Sequence, residues 1–154
     1  MQLDENGYNL IKSFEGLYLT AYQDDAGVWT IGWGSTRYAN GKTIQPGDTL
    51  VNRECADDLL EVTMGQYEDA VSSLVKVNLS QNEYNALVSL TYNIGTGGFE
   101  GSSVLRWLNA GNLQAAADAF LMWNKITDPA TGQHVVSSDL QARRTKERAL
   151  FLTN

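Results

Sequence analysis

The stretch SFEGLYLTAYQDDAGVWTIGWGST, residues 13–36, decides how the rest of the chain is read. Glu15 falls where a helical pattern stops, and Gly16 directly after it suits a left-handed helix cap. Tyr18 to Gln23 reads as an extended segment, Asp24-Asp25-Ala26-Gly27 as a turn, and Val28 to Gly34 as a second extended segment. A helix end running into a hairpin places Glu15 on one wall of a groove, with Asp24 and Thr30 offered from the hairpin opposite. Two carboxyls in unlike surroundings, with a hydroxyl nearby, suit acid/base chemistry on a glycosidic bond. That chemistry needs one carboxyl protonated and the other ionised. An apolar helix end facing a wet turn supplies the two environments.

Composition excludes several classes. The chain has 154 residues, with 43% hydrophobic and 10% aromatic side chains, enough for one compact domain with a proper core. No run approaches the roughly eighteen apolar residues of a membrane span. Asp4, Glu5 and Asn6 near the start fit neither a signal peptide nor a signal anchor. The expectation is therefore a protein folded in the cytoplasm, without stable membrane insertion, that needs help to reach any target beyond the inner membrane. Cys55 is the only cysteine, so an internal disulfide and a thiolate metal cluster are excluded, and it reads as a small buried helix residue. His134 is the only histidine, and no serine sits in a nucleophile elbow. The net charge of −7 is uneven: residues 1–100 carry −9 (5 basic, 14 acidic) and residues 101–154 carry +2 (6 basic, 4 acidic). Such a balance disfavours nucleic-acid binding.

In chain order, Leu3 to Phe14 reads as a short amphipathic helix with Asp4 as N-cap, whose end delivers Glu15. The sheet region extends from Tyr18 to Ile44, with a two-residue hairpin turn at Asn40-Gly41 and a closing turn at Pro46-Gly47. Trp29 and Trp33 belong to this sheet, as lobe core or with one of them lining a sugar-binding groove. The longest helical pattern runs from about Asn52 to Val75, with Gly65 marking a bend. Ser80-Gln81-Asn82-Glu83 is a capping box that starts a helix stopped by Gly95. Thr96 to Ser103 reads as a glycine-rich loop, followed by helices near Val104–Asn109 and Leu113–Trp123. Lys125 to Ser138 reads as the longest loop, and Leu140 to Leu152 as a closing basic amphipathic helix.

The whole string resembles a known family. Glu15-Gly16-Leu17, Ala21-Tyr22-Gln23-Asp24, Gly27, and Thr30-Ile31-Gly32 with Gly34 closely resemble the active-site segment of the phage lysozymes, the endolysins of glycoside hydrolase family 24. That family's triad is Glu, Asp nine residues on, and Thr six further, which Glu15, Asp24 and Thr30 match in type and spacing. The resemblance continues through Ala86-Leu87-Val88, Tyr92-Asn93-Ile94-Gly95, Trp123, and Arg143-Arg144 to Glu147. It covers nearly the whole chain.

The resemblance implies a mainly helical α+β, lysozyme-like, two-lobed catalytic domain over residues 1–154. Its sheet lobe would span about 15–50, its connecting helix about 52–75, and its helical lobe about 80–154 with the N-terminal helix. It implies a muramidase that hydrolyses the β-1,4 bond between N-acetylmuramic acid and N-acetylglucosamine in peptidoglycan. Glu15 would be the general acid, Asp24 the ionised carboxylate, and Thr30 the holder of the water. Gly32, Tyr92, Asn93, and Arg143 or Arg144 would serve the substrate groove. No cofactor or metal is implied. The partner is cell-wall peptidoglycan, the protein is expected to be a monomer, and its release is expected to depend on a separate holin-type pore. A lytic transglycosylase, forming a 1,6-anhydro product, is the enzymatic alternative. A wall-binding or membrane-active protein built on the closing helix is the non-enzymatic one.

Overall fold

The computed structural model describes residues 1–153, and the chain is mainly helical. It divides into two compact units, one holding Asn9–Gln66 and the other Met1–Tyr8 with the chain from Tyr67 onward. No described helix is long and apolar enough to cross a membrane.

The unit Asn9–Gln66 carries the small sheet. Helix α1, Glu5–Glu15, enters it from the other unit. Asp4 caps α1: its Oδ1 accepts the Gly7 N–H at 3.0 Å and its carbonyl accepts the Tyr8 N–H at 3.0 Å. At the far end Gly16 takes φ 70° and donates to the Lys12 carbonyl, so the helix stops at Glu15. Leu3, expected inside the helix, lies before its cap.

Strands β1, Tyr18–Gln23, and β2, Trp29–Gly32, pair antiparallel, with Tyr22 opposite Thr30 and Gln23 opposite Trp29. Continuous pairing stops at Gly32, short of the expected sheet. Isolated bridges then link Ile31 to Ser35 and Arg37 to Thr43. The turn expected at Asn40-Gly41 holds three residues rather than two: the Tyr38 N–H donates to the Lys42 carbonyl, and Gly41 takes φ 83°. Asn40 Oδ1 accepts the Lys42 N–H, which holds the wider loop. The chain returns along the other edge of β1, where Ala21 N–H meets the Asp48 carbonyl and Leu50 N–H the Leu19 carbonyl.

Helix α2, Arg53–Leu74, begins under the Asn52 side chain, which accepts the Cys55 N–H at 3.0 Å. Ile31, Ile44 and Leu59 form a buried cluster in this unit, with Ala21, Trp29, Tyr38 and Leu50 packed on it. Gly32 takes φ 67° beside α2, and a β-carbon there would lie 3.4 Å from Ala56 Cβ. Cys55 is half-buried rather than buried.

The other unit is built around α3, Gln81–Ile94, which is buried at every position from Tyr84 to Thr91. A helix covered on all faces is the core of its unit. Its capping box forms as the sequence predicts, with the Glu83 N–H on Ser80 Oγ and the Ser80 N–H on the Glu83 carboxylate. The expected loop after Gly95 contains a short helix, α4, Thr96–Glu100, because full burial of Phe99 outweighs the poor helix propensity of Gly97 and Gly98. Helices α5, Ser103–Asn109, and α6, Leu113–Phe120, follow and pack on each other. After Phe120 the bonds shorten to three-residue spacing at Leu121, Met122 and Trp123, so α6 ends early. The expected long loop holds an exposed hairpin, β3, Lys125–Thr127, with β4, His134–Val136. β-Branched residues pair across an Asp128–Gly132 turn in which Gly132 takes φ 69°. Helix α7, Ser138–Phe151, closes the unit against α3 and α6.

Candidate active site

Glu15, Asp24 and Thr30 all lie in the unit Asn9–Gln66. Glu15 is the last residue of α1 and is half-buried. Asp24 follows β1 and is exposed. Its turn is closed by the Asp24 N–H on the Val28 carbonyl and the Gly27 N–H on the Asp24 carbonyl, both at 2.9 Å. Gly27 takes φ 80°, as that turn requires. The side chain is pinned by one oxygen only: Oδ1 accepts the N–H groups of Ala26 and Val28, each at 2.9 Å. No described residue donates to Oδ2.

Thr30 is 3% exposed, and its hydroxyl donates to the Val28 carbonyl at 2.9 Å. Its oxygen keeps lone pairs that can only accept. Val28 therefore joins the two residues, donating its N–H to Asp24 and accepting from Thr30.

Sequence reasoning passed over Tyr22. It stands opposite Thr30 across the strand pair, half-buried, with its ring 4.2 Å from that of Tyr18. Burial pushes the Tyr22 phenol above its usual value, and the charges of Glu15, Tyr18, Asp24 and Asp25 add to the shift. The turn supplied the missing signal: pairing Asp24 with Val28 sets Tyr22 against Thr30 two residues on.

A second cluster in the same unit also went unread. Lys12 Nζ pairs with Asp57 Oδ1 at 2.9 Å, and the Trp33 indole N–H donates to the same oxygen at 2.7 Å. Lys12 and Arg53 both lie over the Trp33 ring. Burial alone would raise the Asp57 carboxyl, but Lys12, the indole and Arg53 outweigh it and hold it below the usual carboxylate range. Helix α1 is thereby tied to α2 within the unit that carries Glu15.

The remaining predicted site residues divide. Gly32 sits at the end of β2, buried. Tyr92, Asn93, Arg143 and Arg144 belong to the other unit. There Tyr92 is half-buried and packs edge-on to Tyr67 at 5.1 Å, and Asn93 is exposed on α3. Arg143 is half-buried on α7. Arg144 is fully buried, with Nε 2.6 Å from Glu147 Oε1, and Ser89 Oγ donates to Glu147 Oε2 at 2.7 Å.

A family model described as Phage lysozyme matches residues 12–147. The endolysin of Salmonella phage P22 is 47% identical over 154 residues, covering 99% of each chain. Among solved structures, the endolysin of Escherichia coli O157:H7 phage FAHEc1 superposes with a TM-score of 0.91 at 41% identity, over 99% of this chain and 94% of that one. The muramidase domain of SpmX from Asticaccaulis excentricus gives 0.87 at 39% identity, over 99% of each. A helix-end glutamate, a turn aspartate pinned by one oxygen and a threonine beside it thus stand in a chain that belongs to the phage lysozyme family.

Proposed function

We propose that this glycoside hydrolase is a muramidase, cleaving the β-1,4 bond between N-acetylmuramic acid and N-acetylglucosamine of bacterial peptidoglycan. Glu15 donates its proton to the glycosidic oxygen as the bond to the anomeric carbon breaks. Water, giving its hydrogens to Asp24 Oδ2 and Thr30 Oγ1, presents an oxygen lone pair to that carbon. As the new C–O bond forms, Asp24 takes the proton, which returns to Glu15 through solvent. The Thr30 hydroxyl supports this reading most directly: its proton lies on the Val28 carbonyl, too weak a base to activate it as a nucleophile, so its lone pairs are left to accept from water. Gly32, Tyr92, Asn93 and Arg143 are proposed to serve the substrate; Arg144, fully buried against Glu147, is not. We further propose that the protein acts as a monomer, is held in the host cytoplasm until a separate holin-type pore opens, and then acts on the wall.

The test is a digest of purified wall read by mass spectrometry. Hydrolysis leaves each new reducing end about 18 Da heavier than the anhydro end of a transglycosylase. Anhydro products would overturn the reading. Thr30→Val, which keeps the β-branch, should lower turnover at least tenfold with little change in binding of wall fragments. Normal activity per folded molecule would make Thr30 structural.

A further inference from the structure

We propose that Tyr22 is a substrate-binding residue whose phenolic O–H donates a hydrogen bond to an oxygen of the sugar at the cleavage point. This rests on the muramidase reading above and extends it to a residue outside the triad. Directly opposed residues of an antiparallel pair project from the same face of the sheet, so Tyr22 and Thr30 stand side by side. The same face carries Tyr18, 47% exposed, with its ring tilted 38° against that of Tyr22. Two rings, one of them open to solvent, thus share the face that carries the threonine proposed to hold the water. Aromatic faces of this kind pack on the C–H faces of sugar rings.

The hydroxyl itself is unspent. A tyrosine O–H that is half-buried ordinarily finds a protein partner. That of Tyr22 meets none among the described residues, although Glu15 and Asp24 are close enough to act on it electrostatically. Its proton is also secure, because burial and the surrounding carboxylates both oppose ionisation. Tyr22 is therefore a neutral donor across the whole range in which carboxylates titrate. Neutrality matters here: a lysine or arginine at this position would favour ionised Glu15 and work against the general acid. Hydroxyl and acetamide oxygens of an N-acetylated sugar are the acceptors such a donor fits. The hydrogen bond would orient the ring without disturbing either carboxyl.

The test is steady-state kinetics of Tyr22→Phe on soluble glycan oligomers prepared from wall. Loss of one neutral hydrogen bond should cut kcat/KM about five- to tenfold, carried mainly by KM. The pH profile should keep its shape, since the phenol does not titrate in that range, and the melting temperature should hold because the ring and its Tyr18 contact remain. Tyr22→Leu, which also loses the ring, should cut kcat/KM further. A Tyr22→Phe enzyme within twofold of wild type overturns the inference. So does a loss matched by a fall in melting temperature, which would make the hydroxyl structural. Wild-type protein that leaves the oligomers intact overturns the muramidase reading and this inference together. Wild-type activity with an unaffected Phe variant overturns this inference alone.

Discussion

In the unit that carries Glu15, the Lys12–Asp57 ion pair is partly open to water, with the two side chains 19% and 37% exposed. In the helical unit, Arg144 and Glu147 form a pair in which both side chains are 0% exposed. The first pair sits among other polar ties, including the Trp33 indole on Asp57 and the Ser35–Thr63 hydroxyl contact at 2.9 Å. The unit also buries Ile31, Ile44 and Leu59 as a cluster, along with Ile11, Leu60 and Met64. The second lies beside α3, which is buried along eight consecutive positions. One unit adds to its apolar packing an ion pair that water can reach, and the other packs around an ion pair that water cannot. Removing a catalytic group should therefore show as lost chemistry in the first, and removing a buried ionic partner as lost stability in the second.

Glu15→Gln is the sharpest test on the catalytic side. It keeps size and hydrogen bonding but removes the transferable proton, so wall hydrolysis should fall by about 10²–10⁴. The melting temperature should barely move, since a half-buried helix-end residue is replaced by a near-isostere. Turbidity loss of outer-membrane-stripped cells and a thermal melt check both halves. More than a tenth of wild-type activity would remove Glu15 from the role of acid.

Glu147→Ala is its counterpart in the helical unit. It leaves the Arg144 charge buried without its partner and opens a void, at a cost of about 3–5 kcal/mol. Denaturant melts should show that loss, while activity per folded molecule stays measurable. Replacing both residues with apolar side chains of similar volume should recover most of it, because the desolvation cost disappears with the charges. A single variant as stable as wild type would show that the pair contributes little.

Gly7→Ala should have a smaller effect in the same unit. Alanine gains about 1 kcal/mol of helix propensity. Its β-carbon would, however, lie 2.7 Å from Asn85 Oδ1 and 2.7 Å from Leu3 Cδ2. Asn85 must then move, weakening its 2.7 Å bond to the capping Asp4. Overpacking of this kind costs about 1–3 kcal/mol, so we expect a net loss of about 1–2 kcal/mol. A melting temperature above wild type would show that Asn85 yields freely.

What the sequence revealed follows the same division. Glu15, Asp24 and Thr30 could be placed because their setting is local: a glycine stop, an Asx turn, and a β-branched residue in a short strand. The capping box at Ser80 was legible for the same reason. Tyr22 needed the strand register, which depends on which residues close the Asp24–Val28 turn. Helix α4 depended on burial of Phe99, which no local propensity encodes. Arg143 or Arg144 was expected at the substrate groove, and the burial of Arg144 against Glu147 went unread, since spacing alone does not say which face turns inward. The β3–β4 hairpin carried a strand signal in Ile126, Thr127, Val135 and Val136, but three-residue strands around a wide turn are too short to show alternation.

Acid should separate the two units by the smallest margin. The Tyr38 hydroxyl and the Gln45 N–H, at 2.7 and 2.9 Å, hold the Asp48 carboxyl below its usual range, and Asp57 is also depressed. A depressed folded-state value means that the native state binds fewer protons than the unfolded chain just below the ordinary range. The stabilising contribution is thus full above about pH 4 and is lost as pH falls through the folded values. In the helical unit Asp118, beside Arg148, has the same sign. Glu147 has the opposite one, because burial raises it and protonation relieves the penalty. Between about pH 5 and pH 3, amides of Ala21 and Ile31 should lose protection from hydrogen exchange more than those of Leu87 and Val88, after correction for intrinsic rates. Asp48→Asn keeps an acceptor but cannot titrate, so it should shrink the pH-dependent part of the loss at Ala21, whose N–H bonds the residue-48 carbonyl. Equal loss of protection in α3 would mean that the two units open as one, and the contrast between them would fail.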